Sequence, residues 1–421
     1  METIVLNLVN DMKYGLIGEK LSHSFSKEIH ERIADYQYEL KELSLDEFDG
    51  FMKKKDFLAI NVTIPYKEKV IPYLDYIDET ALKIKAVNTI VNNNGKLYGY
   101  NTDYYGLKSL IIKNDIEIKN KKVLILGTGG TSKTTSIVLN DLSPKEIIFV
   151  SRTKKDNVIT YLEAINNHSD ANVIINTTPC GMYPNNNDIP IDLNNFNQLE
   201  AVIDVIYNPL KTKLIIQAQN KKLKTATGLY MLVSQAVYAS SKFINKEVDI
   251  KLIDNIYDNL LKQKQNIVLI GMPSCGKTTI GKKLINKLNK EFIDTDLEIE
   301  KIINMPISSY LTKDNETDFR NIEHSVIKEI SKYNNKIIST GGGIIKNEEN
   351  INLLKQNGII IFINRPFNKL ITTSSRPLSS SYNDLQKLYE ERIPLYHKYA
   401  DIIVNNDKNI KDVILEILNK I

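Results

Sequence analysis

The sequence predicts an α/β protein built in successive parts, and three observations carry that expectation. Short apolar runs alternate with helical patterns along much of the 421 residues, the order that gives largely parallel sheets flanked by helices. Two apolar runs end in glycine turns that open helices: Val123-Leu-Ile-Leu-Gly127-Thr-Gly129-Gly130, and Ile267-Val-Leu-Ile-Gly271-Met-Pro-Ser-Cys-Gly276-Lys277-Thr278. The length exceeds one ordinary core and suits two or three.

Taken in order, residues 14–18 read as a strand, 27–36 as a helix and 57–63 as a second strand, with a turn at Asn92-Asn-Asn-Gly95. A new unit starts at Lys121, with strands at 147–150, 173–176 and 202–204, and a long helical stretch runs from Leu229 to about Lys262. The polar segment 262–266 is the one plausible linker before the second glycine loop. These boundaries give an α/β domain at 1–104 completed by helices at about 229–262, a dinucleotide-binding domain of Rossmann type at 105–228, and a P-loop domain with a parallel sheet at 266–421.

Composition narrows the class of protein. A hydrophobic fraction of 42% with 25% charged residues is ordinary for a globular chain. The net charge of +4 comes from lysines and glutamates interspersed along the chain, which argues against a nucleic-acid surface, where positive charge collects in a patch. Cys180 and Cys275 stand far apart without companions at metal-ligand spacing, so a reducing cytoplasm is expected. No run approaches the roughly 18 apolar residues of a membrane span. The partners expected are small anions, and oligomeric state is open.

The two glycine loops bind phosphate in different ways. Gly127, Thr128, Gly129, Gly130 and Thr131 carry no lysine, and backbone amides at a helix N-terminus there can hold a pyrophosphate. The next strand ends in Ser151-Arg152-Thr153. Arginine at that tip suits the 2′-phosphate of NADP, where an NAD site would place an acid; the other reading is a solvated basic turn. The second loop fits G-x-x-x-x-G-K-S/T. Its amides from Gly271 through Ser274 and Cys275 to Gly276 would wrap the phosphates of ATP, Lys277 would bridge β and γ, and Thr278, followed by Thr279, would ligate Mg2+. Beyond it, Asp294 and Asp296 lie on one side of a strand end, Arg320 and Glu323 share a helical face, and Arg376 sits in a polar stretch with the character of a lid. The other, lesser reading of Arg320 and Arg392 is a surface ion pair.

Other clusters say little singly. Ser22-His-Ser24-Phe-Ser26, Asn61-Val-Thr63-Ile-Pro-Tyr-Lys67, Ala86-Val-Asn88-Thr89 and Tyr100-Asn101-Thr102-Asp103 could each be a cap, a turn or a surface face. Together with the first glycine loop, Ser151-Arg152-Thr153 and Gly228-Leu-Tyr-Met-Leu-Val-Ser-Gln235, they resemble shikimate dehydrogenase in order over residues 13–262. The resemblance implies reversible NADPH-dependent reduction of 3-dehydroshikimate. It assigns Ser24, Ser26, Thr63, Asn88, Asp103 and Gln235 to the substrate, Lys67 and Asp103 to catalysis, Tyr207 to a place near substrate and nicotinamide, and Gly228 to the cofactor. Lys27 stands where the family usually has proline, and Ser151 where asparagine is commoner.

The set G-x4-G-K-T, D-T-D (294–296), F-R-x-x-E (319–323), G-G-G (341–343), R-P-L (376–378) and E-R-x-P-L-Y (391–396) resembles shikimate kinase over residues 266–421. It implies ATP-dependent phosphorylation of the shikimate 3-hydroxyl. By that resemblance Asp296, Arg320, Gly342 and Arg392 bind shikimate, Asp294 sits by magnesium, and Arg376 closes over the phosphates. Ser274 replaces a usual glycine, and Thr372-Thr373 lie where a second lid arginine often contacts adenine. The product of the first reaction is the substrate of the second, so the expected whole is a bifunctional enzyme of aromatic amino acid biosynthesis. The alternatives are an NAD-preferring quinate/shikimate dehydrogenase fused to a small-molecule kinase, and a ligand-sensing regulator built from the same domains.

Overall fold

The computed structural model describes residues 12–21, 24–247, 249–311, 315–371 and 381–421. The chain divides into two compact units. The first comprises Met1–Pro179, Pro190–Tyr207 and Gln217–Asn259; the second comprises Cys180–Ile189, Asn208–Ile216 and Leu260–Ile421. Among the described residues no helix is long and apolar enough to cross a membrane.

The first unit holds two six-stranded sheets. One contains β1 (Tyr14–Gly18), β2 (Glu39–Glu42), β3 (Ala59–Val62), β4 (Tyr76–Ile77), β5 (Thr89–Asn93) and β6 (Lys96–Tyr100), in the order β2-β1-β3-β5-β6-β4. β1 runs parallel to β2 and β3, whereas β5 is antiparallel to β3 and β6. The turn expected at 92–95 makes the β5–β6 hairpin: Asn94 and Gly95 take φ of 53° and 83°, as a two-residue hairpin turn with positive φ requires. Asn92 Oδ1 accepts the Gly95 N–H at 2.8 Å and pins it.

The other sheet contains β7 (Lys122–Leu126), β8 (Glu146–Ser151), β9 (Val158–Thr160), β10 (Val173–Asn176), β11 (Ala201–Asp204) and β12 (Lys224–Thr227). All are parallel, in the order β12-β11-β10-β7-β8-β9. Residues 123–126 and 173–175 are buried Val, Ile and Leu, as strands covered on both faces must be. The order reverses between β7 and β10, and such a switch point opens a crevice at the strand C-termini.

One expectation is corrected here. The long helical stretch from Leu229 is two helices, Gly228–Phe243 and Ile250–Lys264. Asn245 turns left-handed, with φ 50°, and the Lys246 N–H reaches back to Ser241 O at 3.0 Å, which ends the first helix in the manner of a Schellman cap. The segment 262–266 is likewise no loose linker. It is the last turn of the second helix, then Gln265, then the first residue of the next strand. Lys290 caps that helix: its Nζ donates to Lys262 O at 2.9 Å and to Gln263 O and Gln265 O at 2.8 Å. Burial lowers this ammonium to about 8.

The second unit is built on one parallel sheet of β13 (Asn266–Ile270), β14 (Glu291–Asp294), β15 (Lys336–Ser339), β16 (Gly358–Asn364) and β17 (Ile402–Asn405), in the order β14-β15-β13-β16-β17. Its core is continuous, from Ile267, Val268, Leu269 and Ile270 at the centre to Phe362 and Tyr396. The stretch 208–216 adds backbone hydrogen bonds to this unit: Leu210 N–H donates to Asn357 Oδ1 at 2.9 Å and Lys211 N–H to Gln356 O at 2.8 Å.

Candidate active sites

In the first unit the predicted catalytic pair forms. Lys67 follows β3 by five residues, and Asp103 opens the helix Asp103–Lys113 after β6. Lys67 Nζ donates to Asp103 Oδ2 at 2.6 Å, with side chains 20% and 12% exposed. That leaves the amine oriented and still reachable from solvent, which a proton donor requires.

A buried polar network holds the residues beside this pair. Thr102 N–H donates to Asn88 Oδ1 at 2.7 Å, Asn88 Nδ2 donates to Thr102 Oγ1 at 3.1 Å, and Thr102 Oγ1 reaches Gln235 Oε1 at 3.4 Å. Thr89 Oγ1 joins Thr102 Oγ1 at 3.1 Å and accepts from Asn61 Nδ2 at 3.0 Å. So Asn88 and Gln235, far apart in sequence, meet directly, Asn88 Nδ2 donating to Gln235 Oε1 at 3.5 Å, and again through Thr102. Ser24 Oγ donates to Ser26 Oγ at 3.0 Å, and Phe25 between them lies against Tyr207, ring centroids 5.3 Å apart. Burial raises the Tyr207 phenol. Thr63 stands just past β3, beside Gly18, where a Cβ would meet its Cγ2 at 2.5 Å.

The dinucleotide loop leaves β7 with Gly127 at φ 108° and opens the helix Gly130–Asp141 with Gly129 at its N-cap. A Cβ on Gly129 or Gly130 would meet nothing within 4 Å, and Gly129 caps without a side chain. Thr128 and Thr131 flank open backbone that fits a pyrophosphate. Ser151, half-buried, ends β8, and Arg152 and Thr153 form the exposed turn after it, where Ser151 Oγ donates to Thr153 O. Gly228 begins its helix where a Cβ would come within 2.0 Å of Val205 O, so only glycine fits.

The second unit gathers its site in a cavity of about 700 Å³ lined by P-loop, acids and arginines together. Lys277 is buried and its Nζ donates to Gly271 O at 2.9 Å and Met272 O at 3.0 Å. Gly276 takes φ 100° and Ser274 φ 64°. Serine in this left-handed conformation costs about 1 kcal/mol relative to glycine, and its Oγ donates to Ile371 O at 2.8 Å. Cys275 is fully buried. Thr278 Oγ1 donates to Asp294 Oδ2 at 2.9 Å, the hydroxyl and carboxylate expected around a magnesium ion; Thr279 is exposed beside them.

Asp296 does not share the strand end with Asp294, as the alternation suggested: β14 stops at Asp294, which caps the helix Thr295–Ile303, and Asp296 is in its first turn, against Gly341, where a Cβ would be 2.6 Å from its Oδ1. Burial first, then the charge of Asp294, pushes this carboxyl up to about 6. Arg320 Nη1 pairs with Glu323 Oε2 at 2.9 Å and Nη2 with Glu316 Oε1 at 3.3 Å, and Gly343 admits the guanidinium within 2.5 Å of a would-be Cβ. Arg392 Nη1 donates to Gly342 O at 3.1 Å. The Nε atoms of both arginines are buried with no partner among the described residues, and the Arg320 ion pairs include the buried Glu323. Arg376 and Thr372-Thr373 lie outside the described residues.

Two groups matter beyond the sequence reading. Glu323 is 2% exposed, and burial raises its carboxyl; its three-residue spacing from Arg320 was the available signal. Thr102 lies in the cluster 100–103 but received no role there, because that role depends on the register of β5 against β6, which pairs Thr89 with Tyr100.

Comparison with known proteins identifies both halves. Residues 16–90 match the family model "Shikimate dehydrogenase substrate binding domain", and residues 273–421 match "Shikimate kinase". The shikimate dehydrogenase (NADP(+)) of Clostridium perfringens strain SM101 is 40% identical over 265 residues, covering 59% of this chain and 97% of that protein. The chain belongs to the shikimate dehydrogenase family. The Clostridium beijerinckii shikimate dehydrogenase (NADP(+)) is 39% identical over 259 residues, covering 58% of this chain and 96% of its own length. Among solved structures, shikimate dehydrogenase 1 from Peptoclostridium difficile aligns at 37% identity and TM-score 0.55 over 59% of this chain and 97% of its own. A chorismate mutase/shikimate 5-dehydrogenase fusion from Clostridium acetobutylicum aligns at 37% and 0.56, covering 60% and 98%. The shikimate dehydrogenase here is thus followed by a shikimate kinase domain.

Proposed function

We propose that this chain reduces 3-dehydroshikimate to shikimate with NADPH and phosphorylates shikimate at its 3-hydroxyl with ATP. The observation that carries the reading is the presence of two complete sets of reacting groups: Lys67 on Asp103 in one unit, and Lys277, Thr278, Asp294 and Asp296 around one cavity in the other.

In the first reaction NADPH, when bound, supplies the hydride to the ketone carbon. Lys67 gives a proton to the oxygen as it becomes an alkoxide, and Asp103 holds the amine in place. Ser24, Ser26, Thr63, Asn88 and Gln235 hold the carboxylate and hydroxyls, and Tyr207 covers them. The loop 127–131 takes the pyrophosphate, and exposed Arg152 takes the 2′-phosphate, which favours NADP over NAD; the names of the clostridial relatives support this.

In the second reaction Arg320 and Arg392 clamp the substrate carboxylate with Gly342. Asp296, ionised above about pH 6, accepts the proton of the attacking hydroxyl. Lys277 and the loop amides hold the phosphates. Thr278 and Asp294 would hold Mg2+, which when bound neutralises phosphate charge. Residues 1–104 with 229–262 serve the first substrate, 105–228 its cofactor and 266–421 the kinase. A cytoplasmic place supplies both cofactors and suits the two free thiols.

The test is direct assay of the purified chain. NADPH oxidation should require 3-dehydroshikimate, and added ATP and magnesium should convert the shikimate formed into its phosphate. NADH used as well as NADPH would overturn the cofactor assignment, and reduction without phosphorylation would overturn the kinase half.

A further inference from the structure

The kinase cavity contains a cation that the reading above does not use. Arg365 lines it together with Pro273, Ser274 and Ile371. It directly follows β16, which runs parallel to β13 with Phe362 opposite Ile270. A Cβ on Gly271 would lie 2.7 Å from Ile363 O, so the backbone leading into Arg365 abuts the first residue of the P-loop.

The sheet order separates the cavity's arginines. β15 and β16 flank β13 on opposite sides. Arg320 and Arg392 gather at Gly342 and Gly343, in the turn after β15, whereas Arg365 stands after β16, with the P-loop between. The first two are already engaged, Arg320 by Glu323 and Glu316 and Arg392 by Gly342 O. Among the described residues Arg365 is engaged only through Nε, which donates to Lys369 O at 2.9 Å. That bond sets the plane of the guanidinium, and neither Nη group has a partner among the described residues.

A nucleoside triphosphate carries about four negative charges, and Lys277 is the sole P-loop cation to meet them. A guanidinium with a fixed plane and two free Nη donors has the fork that suits phosphate oxygens. We propose that Arg365 binds the nucleotide's phosphates from the β16 side of the P-loop. The proposal rests on the nucleotide-binding part of the kinase reading, not on the phosphorylation of shikimate.

The test uses the full chain with Arg365→Ala, Arg365→Gln and Arg365→Lys. Direct binding of ADP with magnesium should weaken about tenfold or more in the alanine and glutamine variants, the effect of losing a charge-assisted hydrogen bond. Lysine should recover part of it. Competition by inorganic tripolyphosphate should weaken in parallel, while adenosine binding, the KM for shikimate and NADPH-dependent reduction stay at parental values. ADP affinity within twofold of the parent in both neutral variants would overturn the proposal. So would a loss shared by adenosine, which would place Arg365 on the base. Should the alanine variant fail to fold, the glutamine variant gives the same reading. A parent chain that binds ADP but leaves shikimate unphosphorylated would sink the kinase reading without touching this one.

Discussion

Replacing Asp296 by asparagine should remove phosphorylation and stabilise the second unit above pH 6. Burial and the nearby Asp294 raise this carboxyl from 3.8 to about 6. The unfolded chain therefore releases the proton near pH 4 and the folded chain near pH 6. Between those values the folded state binds more protons, so stability falls as pH rises, and above pH 6 the full penalty is present. Two pKa units at 1.36 kcal/mol each amount to about 3 kcal/mol. Asparagine keeps the shape and removes the charge, but it also loses the attraction of Lys277, so the expected gain is about 1–3 kcal/mol at pH 8. About half of it should remain at pH 5, and it should vanish below pH 4. In a unit of this size that is a rise in Tm of about 2–10 °C at pH 8. Calorimetry across pH 5–8 measures it, the relevant transition being the one that moves when ADP and magnesium are added. Turnover should fall about 10²-fold or more, the usual contribution of a general base. An unchanged or lower Tm at pH 8 would refute the reasoning. An equal gain at pH 5 and pH 8 would trace the effect to packing rather than charge.

Lys67→Ala should lower dehydrogenase turnover by about 10² or more with a smaller effect on KM; turnover within a few-fold of the parent would end its role as proton donor. Arg152→Ala should raise the KM for NADPH and leave NADH use nearly unchanged, so equal losses with both cofactors would count against a 2′-phosphate site. Thr102→Val keeps the shape but leaves Asn88 and Gln235 without their shared hydroxyl. An unmet buried partner costs about 1–3 kcal/mol, so kcat/KM for 3-dehydroshikimate should fall about 5–100-fold while kinase activity holds. Equal kcat/KM in variant and parent would show that the network is dispensable.

What could be read from the sequence was whatever lies within one turn or one strand. The two glycine loops, the Asn94-Gly95 hairpin and the Arg320–Glu323 pair are fixed by residues at most a few positions apart, and the fold keeps all of them. The Lys67–Asp103 pair spans 36 residues, and only family resemblance placed it. Thr102 illustrates why such links stay hidden: it meets Asn88 because β5 and β6 pair in one particular register, and a slip by one residue would turn Thr89 to the opposite face. The break at Asn245 was missed because apolar periodicity resumes beyond it, and a single left-handed asparagine leaves little trace in a helical pattern. The basicity of Asp296 was hidden for a further reason. Asp294 and Asp296 look alike as letters, yet Asp294 ends β14 and accepts from Thr278 Oγ1 and the Asp296 N–H, while Asp296, in the helix that follows, is left among the described residues with burial and a neighbour's negative charge, only partly opposed by Lys277. Two equal carboxyls are thereby pushed toward different tasks, one toward holding a cation and the other toward taking a proton. The difference arises from which one receives donors, and that is settled only when the strands close around them.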